Sequence, residues 1–190
     1  MAQAYEKGGR EFCGHILSDN LLRYQKLEEP LFTPSTKAEE GHDINISFEQ
    51  VAESLGTELA TKLRDTAIAL FKRASELSEK RGMIFIDTKY EFGEDENGNI
   101  YLIDEANTPD SSRYCKIDEY EKFEKIKEKI ASGSYKNVSE LIEEDKSLKI
   151  KELSKQFVRD VLVESGYRGY GGDDKVPELT DENVIETSWR

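Results

Sequence analysis

IFIDTKYEFGEDENGNIYLIDEANTPDSSR, residues 84–113, decides how this chain reads. Two apolar runs, 83–93 and 99–105, flank Asn97-Gly98. That dipeptide tolerates the positive φ angles of a tight turn, so an antiparallel hairpin is expected. Side chains alternate along a strand. Asp87, Lys89 and Glu91 are therefore expected on one face, and Thr88, Tyr90 and Phe92 on the other, against a helix. Asp104, at the exit of the second run, can reach the charged face.

Ion pairs on a solvated hairpin face stabilise little, and that is the ordinary reading of such a row. The following DEANTPDSSR tilts the balance towards a site. Asp104-Glu105 ends the apolar run IYLI where the chain leaves the sheet. Carboxylates there suit Mg2+, which takes oxygen ligands and keeps substrate phosphates and water. Glu91 on the neighbouring strand is the second candidate ligand. Two acidic groups plus nucleotide phosphates is a common way to assemble phosphoryl transfer. Arg113 offers a rigid fork for carboxylate or phosphate. Ser111 and Ser112 offer hydroxyls, and Asp110 can accept from a sugar or an amine. Taken alone, those three read first as a capped turn after Pro109. In PSTKAEEGHD, Lys37 is a phosphate contact or a surface lysine, and Asp43 faces a substrate amine or caps a turn. His42 reads as a hydrogen-bonded structural residue.

Outward from the hairpin, residues 1–47 carry Gly8, Gly9, Gly14, Pro30, Pro34 and Gly41 without a sustained period. So long an irregular stretch is usually functional. Ser47 and Gln50 form a capping-box signature, followed by a short helix over 48–55 that stops at Gly56. Leu59, Leu63, Ala67, Leu70, Ala74 and Leu77 recur at helical steps, so a long helix is expected over 57–81, ended by Gly82. Beyond Ile117 the chain is charged and helical, with helices expected over 119–131, 138–145 and 147–164. A Gly- and Tyr-rich loop and a last helix from Thr180 follow. The expected class is α+β: an antiparallel hairpin or small sheet packed on several helices. Three segments are expected: an irregular substrate loop over 1–47, a helix-plus-hairpin core over 48–116, and a charged helical part over 117–190.

The chain has 190 residues, suited to one domain or one with an appendage. With 27 Lys and Arg against 40 Asp and Glu, the formal net charge is -13. Such a surface repels phosphate backbones and anionic membranes, so neither nucleic acid nor membrane is an expected partner. The N-terminus carries no apolar signal region. Two cysteines and two histidines make neither a disulfide framework nor a zinc set. There is no GxxxxGK[ST] and no GxGxxG. A cytoplasmic location is expected.

EPLFTPSTKAEEGHDINIS, IDTKYEFG and LIDEANTPDSSRY, in that order, resemble the signature blocks of the SAICAR synthetase (phosphoribosylaminoimidazole-succinocarboxamide synthase) family. SKQFVRDVLVESG is similar to its late helix. The resemblance implies ATP- and Mg2+-dependent joining of L-aspartate to carboxyaminoimidazole ribonucleotide in purine biosynthesis, through phosphorylation of the ribonucleotide carboxylate. It implies Lys37, Glu91 and Asp104 as ATP contacts, the two carboxylates also as metal ligands. It implies Asp43, Lys89, Asp110, Ser112 and Arg113 as contacts to ribonucleotide and aspartate. Lys89, Asp110 and Arg113 take the catalytic roles, and Asp87 organises Lys89. The chain departs from the family pattern at Ile44, where a second acidic residue is frequent, and at Cys115, where an aromatic is frequent. AQAYEKGGREFCG resembles the segment between lobes, so the chain is expected to correspond to the C-terminal lobe, with a complementing N-terminal lobe or a second copy as partner. Alone it could be inactive. A non-catalytic nucleotide-binding module and a kinase-like phosphotransferase on another acceptor are the alternatives.

Overall fold

A computed structural model describes residues 1–37, 43–164 and 166–167. The chain divides into two compact units, Met1–Leu77 with Asp118–Ile150 and Ser78–Ile117 with Lys151–Arg190. The Gly- and Tyr-rich loop from 168 onward, the helix expected from Thr180, and His42 lie outside the described residues.

In the first unit, helix α1 (Ala2–Glu6) precedes a two-strand ribbon, β1 (Glu11–Phe12) and β2 (His15–Ile16), paired antiparallel. Its two-residue loop is Cys13-Gly14, at φ 53 and 81. Both residues are left-handed, as a primed hairpin turn requires. This is the geometry expected at Asn97-Gly98. Helix α2 (Phe48–Leu55) begins with the expected capping box, Ser47 and Gln50 each bonding the other's backbone N–H, and ends at Gly56. Helix α3 (Thr57–Glu79) follows at once. Its face is less buried than its sequence stripe suggests: Ala60, Ala74 and Ser78 are buried, and Leu59, Leu63 and Leu70 only partly.

The core of this unit lies among its later helices. Before them come the second unit's four strands, β3 (Met83–Thr88), β4 (Glu91–Glu94), β5 (Ile100–Ile103) and β6 (Ser112–Lys116), and helix α4 (Ile117–Tyr120). Helix α5 (Lys122–Ala131), helix α6 (Val138–Glu144) and a 3-10 turn (Lys146–Leu148) then pack Phe123, Ile126, Val138, Leu141, Leu148 and Ile150, all buried. Asn137 caps α6 by accepting from the Glu140 N–H. The Tyr120 hydroxyl donates to the Tyr24 carbonyl at 3.0 Å, tying the irregular N-terminal stretch to these helices.

The second unit corrects the hairpin. The first apolar run is two strands rather than one, interrupted at Lys89 and Tyr90. β4 pairs with β5 as expected, Glu91 opposite Ile103. β3 instead pairs antiparallel with β6, a strand absent from the sequence reading; the turn expected after Pro109 is present over 109–111, and the strand starts at Ser112. The β4–β5 connection is also longer than a two-residue turn. Gly98 donates to the Asp95 carbonyl and Asp95 to that of Asn99, with Gly98 alone left-handed, at φ 80. The Asp95 carboxylate accepts from the N–H groups of Asn97 and Asn99 and from the Asn99 amide. The expected helix over 147–164 is broken as well. After the 3-10 turn the chain runs extended, and only Gln156–Glu164 is helical (α7). Backbone bonds join Leu153 and Tyr114 in both directions, so the chain meets the outer edge of β6 at Leu153 before it bends at Ser154 and turns into α7.

Two predictions follow from this packing. Ile126 is fully buried, so Ile126→Ala should destabilise the first unit by about 2–5 kcal/mol, read as a lower denaturant midpoint. Hydrogen bonds from Asn99 and its backbone, then from Asn97 and Tyr101, depress the Asp95 carboxyl to about 2. A depressed carboxyl adds stability above its unfolded value, lost as pH falls through the folded one. Amide protection in the β4–β5 turn should therefore fall between about pH 4 and 2, and that step should vanish in Asp95→Asn.

Candidate functional site

The geometry of the second unit's site starts from one register shift. Phe85 faces Tyr114 and Asp87 faces Arg113, leaving Ile86 unpaired as a bulge. Residues directly opposite share a face. The bulge therefore places Phe85, Thr88, Ser112 and Tyr114 on one face and Asp87 with Arg113 on the other, although 85 and 87 share parity.

The first face is aromatic and hydroxylic. Phe85 and Tyr114 pack at 5.0 Å between ring centroids. The Tyr114 hydroxyl donates to the Asn107 carbonyl, and the Tyr90 hydroxyl donates to Asn107 Oδ1 at 2.7 Å. Burial pushes both phenols above their ordinary range, so they remain neutral donors. Asn107 is thus held at two points while its backbone is left-handed, at φ 60. Asp104, at the other end of the same short loop, is also left-handed, at φ 62. Two such non-glycine residues in four mark a loop whose shape is imposed by its contacts. A chain of hydroxyls continues from it. Thr108 donates to Glu105 Oε2 at 2.6 Å, and Ser111 lies 3.2 Å from Ser112, which lies 2.7 Å from Thr88. Ser112 is buried. Its hydroxyl is engaged by Thr88 and Ser111, so it supports the loop from beneath.

The second face is charged. Arg113 Nη1 donates to Asp87 Oδ2 at 2.8 Å. Burial raises the Asp87 carboxyl and outweighs the attraction of Arg113, which lowers it. Half of the side chain is nonetheless open to water. Lys89 Nζ lies 2.6 Å from Glu91 Oε1, and Glu91 is largely covered. The Asp87 ion pair in the structure is with Arg113. Asp110 Oδ1 lies 3.3 Å from Lys155 Nζ. Glu152 Oε2 lies 3.6 Å from Arg113 Nε.

Glu91 faces Ile103, the last residue of β5, and Ile103 lies across Gly93, whose missing Cβ leaves it room. Asp104 comes next. Strict alternation would send it to the face opposite Glu91, but its left-handed backbone ends the strand and releases it from that rule. Glu91 and Asp104 are the two carboxylates that could hold Mg2+, an ion that needs only one or two when phosphates supply the rest. Among the described residues, no three His, Cys, Asp or Glu converge as a self-sufficient metal site.

Lys37 and Asp43 belong to the first unit. Both are exposed, and next to them lie the Ser35–Asn45 bridge and Thr36 donating to the Ile44 carbonyl at 2.9 Å. Glu152, Lys155 and Asn107 escaped the sequence reading. LKIKEL, residues 148–153, does alternate apolar and charged positions at its start, the one signal that this stretch is extended.

Residues 6–146 match the family model described as SAICAR synthetase. The phosphoribosylaminoimidazole-succinocarboxamide synthase of Bacteroides fragilis is 44% identical over 99% of this chain and 54% of its own length. That of Cytophaga hutchinsonii is 43% identical over 100% of this chain and 54% of its own length. Among solved structures, the SAICAR synthase of Saccharomyces cerevisiae in complex with SAICAR aligns with a TM-score of 0.68 at 30% identity, over 98% of this chain and 52% of that one. The chain thus spans about half the length of the curated relatives it matches. On the family match and these identities, it belongs to the SAICAR synthetase family.

Proposed function

We propose that this chain contributes to ATP-dependent ligation of L-aspartate to carboxyaminoimidazole ribonucleotide, giving SAICAR, ADP and phosphate. The observation that carries the reading is the pairing of cations with carboxylates, Asp87 with Arg113 and Lys89 with Glu91, at the ends of two strand pairs within a chain of this family.

The chemistry asks for two things. A carboxylate oxygen must attack the γ-phosphorus of ATP, releasing ADP and leaving an acyl phosphate. The aspartate amine must then add to that carbonyl carbon and expel phosphate, losing a proton. Both reactants are anionic, so cations must gather them. Arg113 supplies a planar fork for a carboxylate. Lys89 supplies a mobile point charge, exposed beside Glu91. Asp110 is the proposed acceptor for the attacking amine or a sugar hydroxyl, and Ser112 acts through the loop it supports. Lys37 and Asp43 are proposed, on their family motif, as an ATP contact and an aspartate contact. Glu91 and Asp104 would hold Mg2+, which when bound neutralises phosphate charge.

No helix among the described residues is long and apolar enough to cross a membrane. A cytoplasmic location is proposed on the family's metabolic role. The proposed partner is a complementing N-terminal lobe or a second copy of the chain.

The test is aspartate-dependent ADP release with the ribonucleotide. It is measured on the chain alone and on the chain supplemented with the part of the Bacteroides fragilis relative that it does not match. Asp104→Asn and Glu91→Gln should each lower the rate about a hundredfold or more at unchanged circular dichroism. ADP release indifferent to aspartate, or to both substitutions, would overturn the assignment.

A further inference from the structure

We propose that the segment 151–155, bridged to β6 at Leu153, is a strap that positions the anion-binding groups, with Glu152 as the positioning residue for Arg113. The proposal rests on the reading of Arg113 as an anion contact.

Three attachments join this strap to the residues at issue. Leu153 and Tyr114 exchange backbone hydrogen bonds, which fixes the register. In that antiparallel register residue 154 lies opposite Arg113, and Glu152 is its diagonal neighbour on the same face. Long side chains reach across that diagonal. Glu152 Oε2 accordingly lies 3.6 Å from Arg113 Nε, an ion pair rather than a hydrogen bond. At the other end, the Lys155 N–H donates to the Pro109 carbonyl at 3.1 Å and Lys155 Nζ lies 3.3 Å from Asp110. The strap therefore touches both Asp110 and Arg113.

The consequence for Arg113 is orientation. Asp87, on the inner neighbour β3, holds Nη1, and Glu152, on the outer strap, flanks Nε. The guanidinium lies between two carboxylates on opposite sides of β6. Among the described residues Nη2 donates no hydrogen bond, and the side chain is 46% exposed. Two carboxylates fix the plane of the fork and leave its third nitrogen to an incoming anion. Without Glu152, the guanidinium is tethered at Nη1 alone and can rotate about that bond. Glu152 touches no substrate in this scheme; it acts through Arg113.

The experiment pairs a structural readout with a functional one. In the wild-type protein the Arg113 guanidinium should show distinct Nη–H resonances, because its plane is held from two sides. In Glu152→Gln the Nε–H resonance should shift and the Nη–H resonances should merge as rotation quickens, while Glu152→Asp, which keeps the charge, should retain most of the wild-type behaviour. Should Glu152→Gln also loosen the Leu153 amide while Glu152→Asp does not, the carboxylate is still the cause. Carboxyaminoimidazole ribonucleotide is then titrated calorimetrically. Glu152→Gln should weaken its binding about fivefold, the scale of a partly exposed ion pair, and should have no further effect in an Arg113→Gln background. An Arg113 resonance indifferent to Glu152→Gln, or an equal loss of affinity in both backgrounds, would overturn the positioning role. A wild-type protein that binds no ribonucleotide would instead overturn the functional reading, and the Arg113 resonance would still decide the role of Glu152.

Discussion

The unpaired Ile86 in β3 is the constraint on which the rest of the second unit depends. Strand side chains alternate with a period of two, so a slip of one residue exchanges the faces. Without the bulge, Asp87 would share the face of Phe85 and Tyr114 and bring a carboxylate into an aromatic cluster. With it, Asp87 meets Arg113 directly across the ladder. The same shift brings Thr88 opposite Ser112, where their hydroxyls meet at 2.7 Å. One inserted residue therefore separates a dry face, which shapes the 104–108 loop, from a wet one, which carries the ion pairs.

The two faces do different work on the same loop and strands. On the dry face, two neutral tyrosine hydroxyls grip Asn107 and keep a left-handed residue in place. Backbone strain of this kind persists only where surrounding contacts over-determine it. On the wet face the pairs are partly exposed, so each adds little to stability. Their value lies in where they leave charge: cationic groups beside carboxylates, on strands whose spacing the backbone ladder fixes.

Much of this was legible in the sequence, for identifiable reasons. The capping box at Ser47 and Gln50 and the stop at Gly56 are local, so α2 has the bounds that its residues announce. The β4–β5 pairing is also local, because its connection is short. The β3–β6 pairing was hidden. Its partner strand lies across two intervening strands and a loop, and SSRYCK carries turn formers and charge where a strand signal would be apolar. Bulges are invisible to an alternation rule, so nothing in the sequence marks the change of face between Phe85 and Asp87, and the break at Lys89 and Tyr90 interrupts the alternation before Glu91. The signature blocks nonetheless pointed to Arg113, Lys89 and Glu91, because a family motif carries three-dimensional neighbourhood that periodicity does not.

The misread stretch after Ser147 shows why helical charge patterning misleads where a chain is both buried and extended. KSLKIKELSKQF has good helix formers throughout, and propensity alone favours a continuous helix. Tertiary pairing overrides it. Leu148 and Ile150 are buried in the first unit's core, and the next residues exchange backbone bonds with β6. A helix would withdraw those N–H and C=O groups into its own ladder and remove Glu152 from the diagonal of Arg113. The non-helical form satisfies the backbone of Tyr114 on the outer edge of β6. The backbone requirement of an edge strand and the orientation of a guanidinium are thus met by the same five residues.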